Sequence, residues 1–441
     1  MAAAVLGTLT VSQAHAAGRN ILLLIADDYG IDVTRYYPLA DRRTTTPEAP
    51  PAPNLANLAR NGLLFRNTWA QPSCSPTRAT MLTGRYGFRT GIGKPVPHDP
   101  GAAAPTFSLD EFTLPEAFQA RPDLNYLLLH VGKWHLSRGA SDPNQHGWPR
   151  FSGPHPELAR LESHFQWPKV VNGVETTSTV YATTDQVNDI VQAIAEAKAA
   201  DRPYFIWGAL SAPHSPYQKP PNHLHSRDSL PSSGATRRAY FEATVEAMDT
   251  EIGRLLRSVE LATTTVIFLG DNGTTGSVIE SPYPSSKDKG TLYQGGVHVP
   301  LLIAGAGVEE PGRTIPQLVN TTDLFPTILQ LAGIDPAAAL PAGTKTDGVS
   351  LLPYIENKAH PKPRAWAYAE QFPTRWNARW QRTIRDGRYR LIEGADGARE
   401  FYDLSTDAFE SRNLLRQTLT STQSQRLRAL DQQLDALLAT R

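Results

Sequence analysis

The only cysteine of this 441-residue chain lies in a segment whose residue types favour anion chemistry. A lone cysteine is usually a small buried hydrophobe. Here, however, small polar residues surround Cys74 in what we interpret as an irregular loop, and Arg78 places a permanent cation four positions further on. A helix that begins near Pro76 would direct the positive end of its dipole towards position 74. The segment therefore predicts either a thiolate nucleophile or an anion-binding site.

Oxygen-bearing side chains follow two apolar runs of the chain. Asp27 and Asp28 end the first run, and Asp271 and Asn272 end a later one. Each pair alone would be typical of a turn or of the start of an exposed loop. Adjacent carboxylates repel each other unless a cation or solvent screens them. Together the four residues offer only oxygen ligands, and such a set suits a hard cation such as Ca²⁺ or Mg²⁺.

Basic side chains mark three further motifs. Lys133 and His135 stand two positions apart after another apolar run, so both side chains can point towards one cavity. His214 lies in an Ala-Pro-His-Ser-Pro segment, and Lys289 opens a Lys-Gly-Thr-Leu-Tyr-Gln-Gly-Gly segment. A single lysine or histidine is more often a surface residue, so these positions gain meaning in combination.

In their order along the chain, these motifs resemble those of the type I sulfatases of the alkaline phosphatase superfamily. The resemblance runs from Arg19 to about Asn413, and Cys74 and Arg78 match the family's Cys-x-Pro-x-Arg signature. In that family a maturation enzyme oxidises the cysteine to Cα-formylglycine before or during export. The resemblance implies that the hydrated aldehyde, a gem-diol, attacks the sulfur of a sulfate monoester and forms a covalent sulfated intermediate.

The resemblance also implies which residues bind metal. Asp27, Asp28, Asp271 and Asn272 would hold one Ca²⁺ ion, or Mg²⁺, together with the formylglycine made from Cys74. Related phosphonate and phosphodiester hydrolases usually carry a histidine where this chain has Asn272, and that nitrogen ligand suits a transition metal. Asn272 therefore favours the sulfatase branch.

The catalytic roles are implied in the same way. Arg78 and Lys133 would stabilise the nucleophile and the sulfate, and His135 would act as the base. His214 would contact the ester oxygen, and Lys289 would bind the sulfate and the leaving group.

Three positions near Lys289 complicate the match between this chain and the family's motif. Lys287 competes with Lys289 by proximity, but the spacing to the glycine pair selects Lys289. Gln294 and His298 replace a Glu and an Arg that are commoner in the family, and we expect these changes to alter surrounding hydrogen bonds more than the chemistry. The stretch 322–327 resembles a helix that follows in the family, and we expect it to be scaffold.

Other functions remain open. A phosphonate monoester or phosphodiester hydrolase of the same superfamily would share most of these motifs. A non-catalytic protein that binds sulfated glycans on the same fold would keep the basic residues, but it would need neither Cys74 nor the aspartates. A cysteine acyl transferase or peptidase could use His135 as its base, but the oxygen ligands would then have no role.

Apolar runs provide the strands that must position these residues. The runs are continuous rather than alternating, which indicates strands buried on both faces of a mainly parallel sheet. Helical patterns alternate with them, as in a doubly wound α/β fold. Because ligands bind at the carboxyl ends of such strands, we expect the polar clusters to converge there. The runs are Ile21–Ala26, Tyr126–Val131, Tyr204–Leu210, Thr264–Leu269 and Val299–Ile303.

Three helices between the runs have specific signals. Thr113 and Glu116 form a predicted capping box. A second helix has a predicted cap at Thr183 or Thr184. The apolar faces of the second and third helices are Val187, Ile190, Val191 and Ile194, and Phe241, Val245, Met248, Ile252 and Leu255.

The pattern changes after about residue 355. Trp380–Ile392 predicts a hairpin, Phe401–Leu404 a short strand and Leu414–Thr440 an amphipathic helix. We therefore expect an α/β fold with two parts. Residues 18–355 would form a large, mainly parallel sheet between helices, which the resemblance makes alkaline-phosphatase-like. Residues 356–441 would form a small α+β domain with a short antiparallel sheet.

The sequence restricts the substrate only to a sulfated small molecule or glycan, such as an aryl or carbohydrate sulfate. Specificity in such folds lies on loops and on the C-terminal domain. The expected walls of the site are residues 86–112, 138–180 and 370–382. The side chains that could meet a sugar or aryl ring are His98, Trp376 and Trp380.

Composition restricts the other partners and the compartment. The chain has 43 basic and 43 acidic residues, so it has no charge preference for nucleic acid or an anionic membrane. No apolar run is long enough to span a bilayer, and one cysteine excludes an intramolecular disulfide. Residues 1–17 are uncharged and contain Ala14-His15-Ala16, which indicates a signal-peptide remnant without its basic start; an Ala-rich tail is the alternative. We expect an exported protein, periplasmic or extracellular, and no feature indicates its oligomeric state.

Overall fold

The computed structural model of the protein describes residues 19–37, 49–97, 106–154, 163–358, 364–373 and 380–441. Its strands form one sheet of ten and one sheet of four. The strands are β1 (Asn20–Ala26), β2 (Gly62–Trp69), β3 (Leu127–Gly132), β4 (Phe151–Gly153), β5 (Trp167–Val171), β6 (Val174–Ser178), β7 (Tyr204–Leu210), β8 (Thr264–Gly270), β9 (Leu301–Gly305), β10 (Arg313–Asn320), β11 (Ala367–Gln371), β12 (Gln381–Arg385), β13 (Tyr389–Gly394) and β14 (Arg399–Asp403).

Helices flank the larger sheet and complete the smaller one. They are α1 (Pro53–Arg60), α2 (Cys74–Thr83), α3 (Gly87–Thr90), α4 (Leu114–Gln119), α5 (Asp142–Gln145), α6 (Ala182–Ala199), α7 (Arg237–Leu256), α8 (Gln294–Val297), α9 (Leu324–Leu331), α10 (Pro336–Ala339), α11 (Leu352–Ile355) and α12 (Ser421–Leu438). No helix of the described residues has the length and apolar character that crossing a bilayer requires.

The larger sheet has the order β10-β2-β9-β8-β1-β7-β3-β4-β5-β6. Its centre, from β8 to β4, is parallel, and β10 is parallel to β2. The mainly parallel sheet is thus confirmed. The predicted strand Val299–Ile303 is observed as β9, two residues later, and it runs antiparallel to both of its neighbours.

Burial on both faces explains why the central strands are continuously apolar. Ile21, Leu23 and Ile25 of β1 pack in a cluster with residues of α2, α4 and α9. Leu22 and Leu24 face the opposite side and pack with residues of α1, α6 and α7. All five side chains are completely buried, so neither face of β1 could carry a polar residue without losing apolar burial.

The predicted start of α4 is confirmed, whereas the predicted cap of α6 is not. The capping box of α4 is present, with the Thr113 N–H donating to Glu116 Oε2 at 2.7 Å. The predicted cap at Thr183 or Thr184 is wrong, because α6 begins at Ala182 and both threonines lie in its first turn. The Thr184 hydroxyl instead donates to Glu251 Oε1 of α7 at 2.7 Å, so it joins two helices.

The smaller sheet is antiparallel in the order β11-β12-β13-β14, and β12 and β13 form the predicted hairpin. Leu430, Leu434 and Leu437 of α12 pack in its apolar cluster. This helix begins at Ser421 rather than at Leu414, because the Thr420 hydroxyl caps it by accepting from the Gln423 N–H at 3.3 Å. A domain boundary after residue 355 remains a prediction.

Candidate active site

The carboxyl ends of four parallel strands meet at one edge of the larger sheet. Ala26 of β1 pairs with Leu210 of β7 and Gly270 of β8, and Gly132 of β3 pairs with Ala209. The residues after these ends therefore lie side by side. Each of the ten predicted site residues contacts at least one other at this place, which we call the carboxyl edge: Asp27, Asp28, Cys74, Arg78, Lys133, His135, His214, Asp271, Asn272 and Lys289.

Cys74 is the first residue of α2 and is buried. The helix predicted near Pro76 is present and begins two residues earlier, so Ser75, Pro76 and Thr77, interpreted as part of an irregular loop, lie in the helix. Pro76 fits the first turn because backbone N–H groups there have no partner within the helix. Arg78 consequently follows Cys74 by about one turn on the same side of the helix.

His135 is held in a defined orientation beside Cys74. Its Nδ1 lies 3.2 Å from Cys74 Sγ, and its Nε2 lies 2.9 Å from the Val96 carbonyl oxygen. A carbonyl only accepts hydrogen bonds, so Nε2 carries a proton and a neutral ring presents Nδ1 as an acceptor towards Cys74. The Ser75 hydroxyl donates to the His135 carbonyl at 2.6 Å and fixes the backbone of this residue to α2.

Arg78 and Lys133 bind two carboxylates at the carboxyl edge. Lys133 Nζ donates to Asp27 Oδ2 at 2.6 Å. Arg78 Nη2 donates to Asp271 Oδ2 at 2.7 Å and lies 3.7 Å from Asp27 Oδ2. All four side chains are at most 1% exposed. Burying charges is unfavourable unless opposite charges and hydrogen bonds compensate, and this network provides both.

A second group of contacts surrounds Asp28. Lys289 Nζ lies 2.5 Å from Asp28 Oδ1, and Asn272 Nδ2 donates to the same oxygen at 2.8 Å. His214 Nε2 lies 3.6 Å from Asp28 Oδ2. Asp28 adopts a left-handed backbone with φ of 64°, which aspartate tolerates better than most residues. Its N–H donates to Asp271 Oδ1 at 3.1 Å, which joins the two acidic motifs.

The donor chemistry of this cluster fits a hard cation. Among the described residues, Asp27 Oδ1 and Asn272 Oδ1 are buried oxygens with no hydrogen-bond partner. Buried polar atoms are nearly always bonded, so these oxygens indicate a ligand. Ligand atoms of Asp27, Asp28 and His214 also lie within 4.8 Å of one another. Carboxylate and amide oxygens are the donors that Ca²⁺ and Mg²⁺ prefer.

The charged groups at the carboxyl edge shift one another's pKa. Burial opposes ionisation of Asp27, but the positive charges around it, Lys133 foremost, hold its pKa well below the ordinary value. Burial and the negative charge of Asp27 raise the pKa of Asp271 to about 6. Burial opposes the charge on Lys289, yet Asp28 and its neighbours raise the lysine pKa well above the ordinary value. Lys289 is therefore an ammonium group at neutral pH.

Comparison with protein families decides the relationship. The family model described as "Sulfatase" matches residues 19–334, a range that contains all ten residues of the carboxyl edge. The chain belongs to the sulfatase family. A second model, described as "N-sulphoglucosamine sulphohydrolase, C-terminal", matches residues 285–438.

Individual relatives agree with this assignment. Human N-acetylgalactosamine-6-sulfatase is 31% identical over 367 residues, which cover 76% of this chain and 65% of the relative. Bovine arylsulfatase A is 30% identical over 428 residues, covering 87% and 76%. The chain thus spans 65% of the N-acetylgalactosamine-6-sulfatase it matches. The structure of BT4656 in complex with D-glucosamine-2-N,6-O-disulfate has the same fold, with a TM-score of 0.74, 19% identity and coverage of 95% and 97%.

Two neighbouring lysines of the chain have different partners. Lys289 Nζ contacts Asp28, whereas Lys287 Nζ donates to the backbone carbonyls of Phe409, at 3.2 Å, and Glu410. The structure therefore brings Lys289, and not Lys287, to the carboxyl edge.

Gln294 and His298 bond around the site rather than within it. Gln294 Oε1 accepts from Trp69 Nε1 at 2.8 Å, and His298 Nε2 donates to the Arg66 carbonyl at 2.8 Å. These contacts agree with the expectation that the two replacements alter surrounding hydrogen bonds.

A cavity of about 460 Å³ opens beside Lys289 and His214. Its wall also contains Tyr217, Arg237 and Ser277, which no sequence motif predicted. Tyr217 and Ser277 lie a few residues after predicted motifs at strand ends, so proximity in sequence could have pointed to them. Arg237 has no such signal, because a long loop separates it from the nearest motif.

The aromatic residues predicted to line the site are only partly described. Trp380 stacks with its neighbour Arg382, whose guanidinium carbon lies 4.1 Å from the ring centre. His98 and Trp376 lie outside the described residues, as do parts of all three predicted wall segments.

Proposed function

We propose that this protein hydrolyses a sulfate monoester to an alcohol and inorganic sulfate. The observation that carries the proposal is the contact of Cys74 with His135 at the same edge that holds cations and oxygen ligands. A sulfate monoester is an anion, and its leaving oxygen gains negative charge as the S–O bond breaks. Its hydrolysis therefore needs fixed positive charge and a proton donor. Arg78, Lys133 and Lys289 offer that charge.

Asp27, Asp28, Asp271 and Asn272 would hold one Ca²⁺ ion, and Mg²⁺ suits the same donors. The unpartnered oxygens of Asp27 and Asn272 support this assignment. A bound ion would polarise the sulfate oxygens and add positive charge where negative charge develops. The hydrogen bonds from Lys133 to Asp27, and from Arg78 to Asp271, keep these two carboxylates oriented.

Cys74 is proposed as the precursor of formylglycine rather than as the nucleophile itself. No second thiol exists in the chain, so an intramolecular disulfide cannot trap Cys74 before conversion. Formylglycine would supply a hydrated aldehyde, in which one hydroxyl attacks sulfur and the other permits release of sulfate. The conversion requires a maturation enzyme, which is the protein partner that the proposal implies.

The other residues of the carboxyl edge would bind the anion and move protons. Arg78 and Lys133 would offset the negative charge of the nucleophile and the sulfate. His135 has its Nδ1 directed at position 74, so it would accept a proton from the group there. Lys289 carries a proton at neutral pH and would, with His214, stabilise or protonate the leaving oxygen.

An aryl or carbohydrate sulfate is the proposed substrate. The names of the relatives, N-acetylgalactosamine-6-sulfatase and arylsulfatase A, support this range. The cavity beside Lys289 and His214 has room for such a group. We further propose that the protein is exported to the periplasm or the cell exterior; residues 1–17, on which this rests, lie outside the described residues.

Replacing Cys74 tests the mechanism. Cys74→Ser presents a single hydroxyl, which can accept sulfate once but has no second hydroxyl to expel it. We expect the native protein to release sulfate from 4-nitrophenyl sulfate or a sulfated sugar over many turnovers, and Cys74→Ser to release at most one alcohol per protein. Ion chromatography measures the released sulfate, and product absorbance measures the released alcohol. Mass spectrometry of residues 67–78 measures conversion of Cys74.

Cys74→Ala is the matched control, and it should release neither product. Multiple turnover by Cys74→Ser, or an active native protein with an unmodified Cys74, would contradict the mechanism. Faster hydrolysis of aryl phosphate diesters than of aryl sulfates, with Ca²⁺ or Mn²⁺, would instead identify a phosphodiesterase. Binding of sulfated glycans without any release would identify a non-catalytic protein.

A further inference from the structure

The cavity beside the carboxyl edge reaches beyond the residues proposed to bind sulfate. Lys289 and His214 line it, and so does Arg237, the first residue of α7. A volume of about 460 Å³ is within the range of small-molecule sites and leaves room for a sugar ring next to the reacting sulfate. The alcohol part of the substrate would therefore lie against Arg237.

Arg237 carries a positive charge that none of the described carboxylates pairs with. Its neighbour Arg238 contacts Glu242 at 2.8 Å and Glu280 at 3.4 Å. Within the described ranges, by contrast, no carboxylate lies within 4.0 Å of the Arg237 guanidinium, and Arg237 is exposed. An unneutralised guanidinium in the wall of a substrate cavity is available to bind an anion with two parallel hydrogen bonds.

Tyr217 connects this arginine to the rest of the cavity. Its ring packs edge-on against Phe241 of α7, with the ring centres 6.0 Å apart. Phe241 follows Arg237 by about one helical turn, so α7 positions the tyrosine and the arginine relative to each other. Both residues line the cavity, and the half-buried ring of Tyr217 offers an apolar wall for a sugar.

Resting on the proposed sulfatase function, we propose that Arg237 binds a second anionic group on the alcohol part of the substrate. This group is a carboxylate or a second sulfate, because these oxyanions match the planar fork of a guanidinium. The preferred substrate is then a polyanionic sulfated sugar, and simple aryl sulfates with one charge lack this contact. Arg237 determines specificity and takes no part in breaking the S–O bond.

The test compares substrates that differ in one charge. The first pair is a sulfated disaccharide with a free uronate carboxylate and its methyl ester; the second is an amino sugar sulfate that is N-sulfated or N-acetylated. We expect the native protein to have a kcat/KM at least about fivefold higher for the more anionic member of at least one pair. Arg237→Gln should lower that ratio to near one, and Arg237→Lys should give an intermediate value. The pair that responds identifies the second group.

Arg257→Gln is the matched control, because Arg257 is an exposed arginine directly after the opposite end of α7. It should leave the ratio unchanged, and melting temperatures should confirm that all variants fold. An unchanged ratio in Arg237→Gln, or no preference in the native protein, overturns the inference. Hydrolysis of 4-nitrophenyl sulfate separates the two proposals. If the native protein hydrolyses it, the proposed function stands whatever the ratio, whereas a lack of turnover of every sulfate ester overturns the proposed function itself.

Discussion

Two regions of the molecule bury charged groups, and they do so in different ways. At the carboxyl edge, Asp27 and Asn272 each keep one buried oxygen without a partner among the described residues. At a second place, which we call the domain seam, Asp323 and Arg364 join the end of the larger sheet to the start of the C-terminal part. There, Arg364 Nε donates to Asp323 Oδ2 at 3.0 Å, and Arg364 Nη2 donates to Asp323 Oδ1.

The remaining hydrogen-bonding capacity of the seam is also used. Asp323 accepts from the Asn320 N–H at 2.9 Å and from the Val349 N–H at 2.7 Å. Arg364 Nη1 donates to the Tyr86 hydroxyl at 3.1 Å. A buried ion pair whose partners are all within the protein is scaffold, which is the role expected for residues 322–327. A buried cluster with unpartnered oxygens is incomplete without a ligand. Both regions therefore bury charge, and they differ in whether the carboxylate and amide oxygens have partners within the described residues.

The largest expected effect comes from an acidic residue of the carboxyl edge. Asp27→Asn removes a carboxylate that binds Lys133 and would bind the metal. We expect sulfate release to fall about a thousandfold, the upper range for losing one electrostatic contact at a reacting group. We also expect Ca²⁺ to lose the ability to raise the melting temperature, since a ligand that binds only the folded state stabilises it. Sulfate assays and melting curves with and without Ca²⁺ measure both effects.

Asp323→Asn is the matched control from the domain seam. It should lower the melting temperature but preserve the rise that Ca²⁺ causes. If Asp27→Asn keeps the Ca²⁺ response, or if Asp323→Asn loses it, the distinction between the two regions is wrong.

The next effect is on stability alone. Arg364→Met breaks the buried pair and leaves Asp323 charged without its cation, which should lower the free energy of unfolding by about 3 kcal/mol. The Ca²⁺ concentration for half-maximal stabilisation should stay the same. Lys358→Met is the control, because it removes an exposed cation paired with Glu356 and should cost less than about 1 kcal/mol. Urea unfolding measures both variants, and equal effects would show that the seam does not depend on its ion pair.

The sequence predicts the carboxyl edge better than the domain seam, for a physical reason. Parallel strands bring their carboxyl ends together whatever the loops do, so polar residues after β1, β3, β7 and β8 had to meet. The pairing of Asp323 with Arg364 depends instead on how the intervening 40 or so residues fold.

Some parts of the site could not be predicted from the sequence, because they depend on how loops and helix ends fold. Arg237 lines the cavity because the long loop after β7 places the start of α7 at this edge. No local sequence pattern predicts that placement. The start of α2 lies two residues before the predicted one, because the polar residues around Cys74 favour caps and loops as well as helices. The side chains that could bind a metal were predictable from their residue types. Which of their oxygen atoms have no hydrogen-bond partner could be read only from the structure.

The smallest expected effect is on the pH dependence of stability, and it concerns a buried carboxyl group that has neither a cation nor a proposed metal beside it. Glu370 of β11, also at the domain seam, is 1% exposed and has no cation within 4.0 Å among the described residues. Its oxygens accept from the Phe88 N–H at 2.7 Å and from the Tyr368 hydroxyl at 2.9 Å. Burial therefore raises the pKa of the Glu370 carboxyl to about 8, so this acid is largely protonated at neutral pH.

A raised pKa in the folded state means that the folded protein binds the proton more tightly than the unfolded chain does. The contribution of Glu370 to stability is then complete below its ordinary pKa of 4.5 and is lost as the pH rises through about 8. Glu370→Gln keeps a neutral group of the same shape at every pH. Compared with this variant, the native protein should lose on the order of 2 kcal/mol of unfolding free energy between pH 6 and pH 8. Urea unfolding at both values, with native and variant compared at each pH, isolates Glu370 from the other titrating groups, and an equal difference at the two pH values would mean that the seam holds Glu370 as a carboxylate.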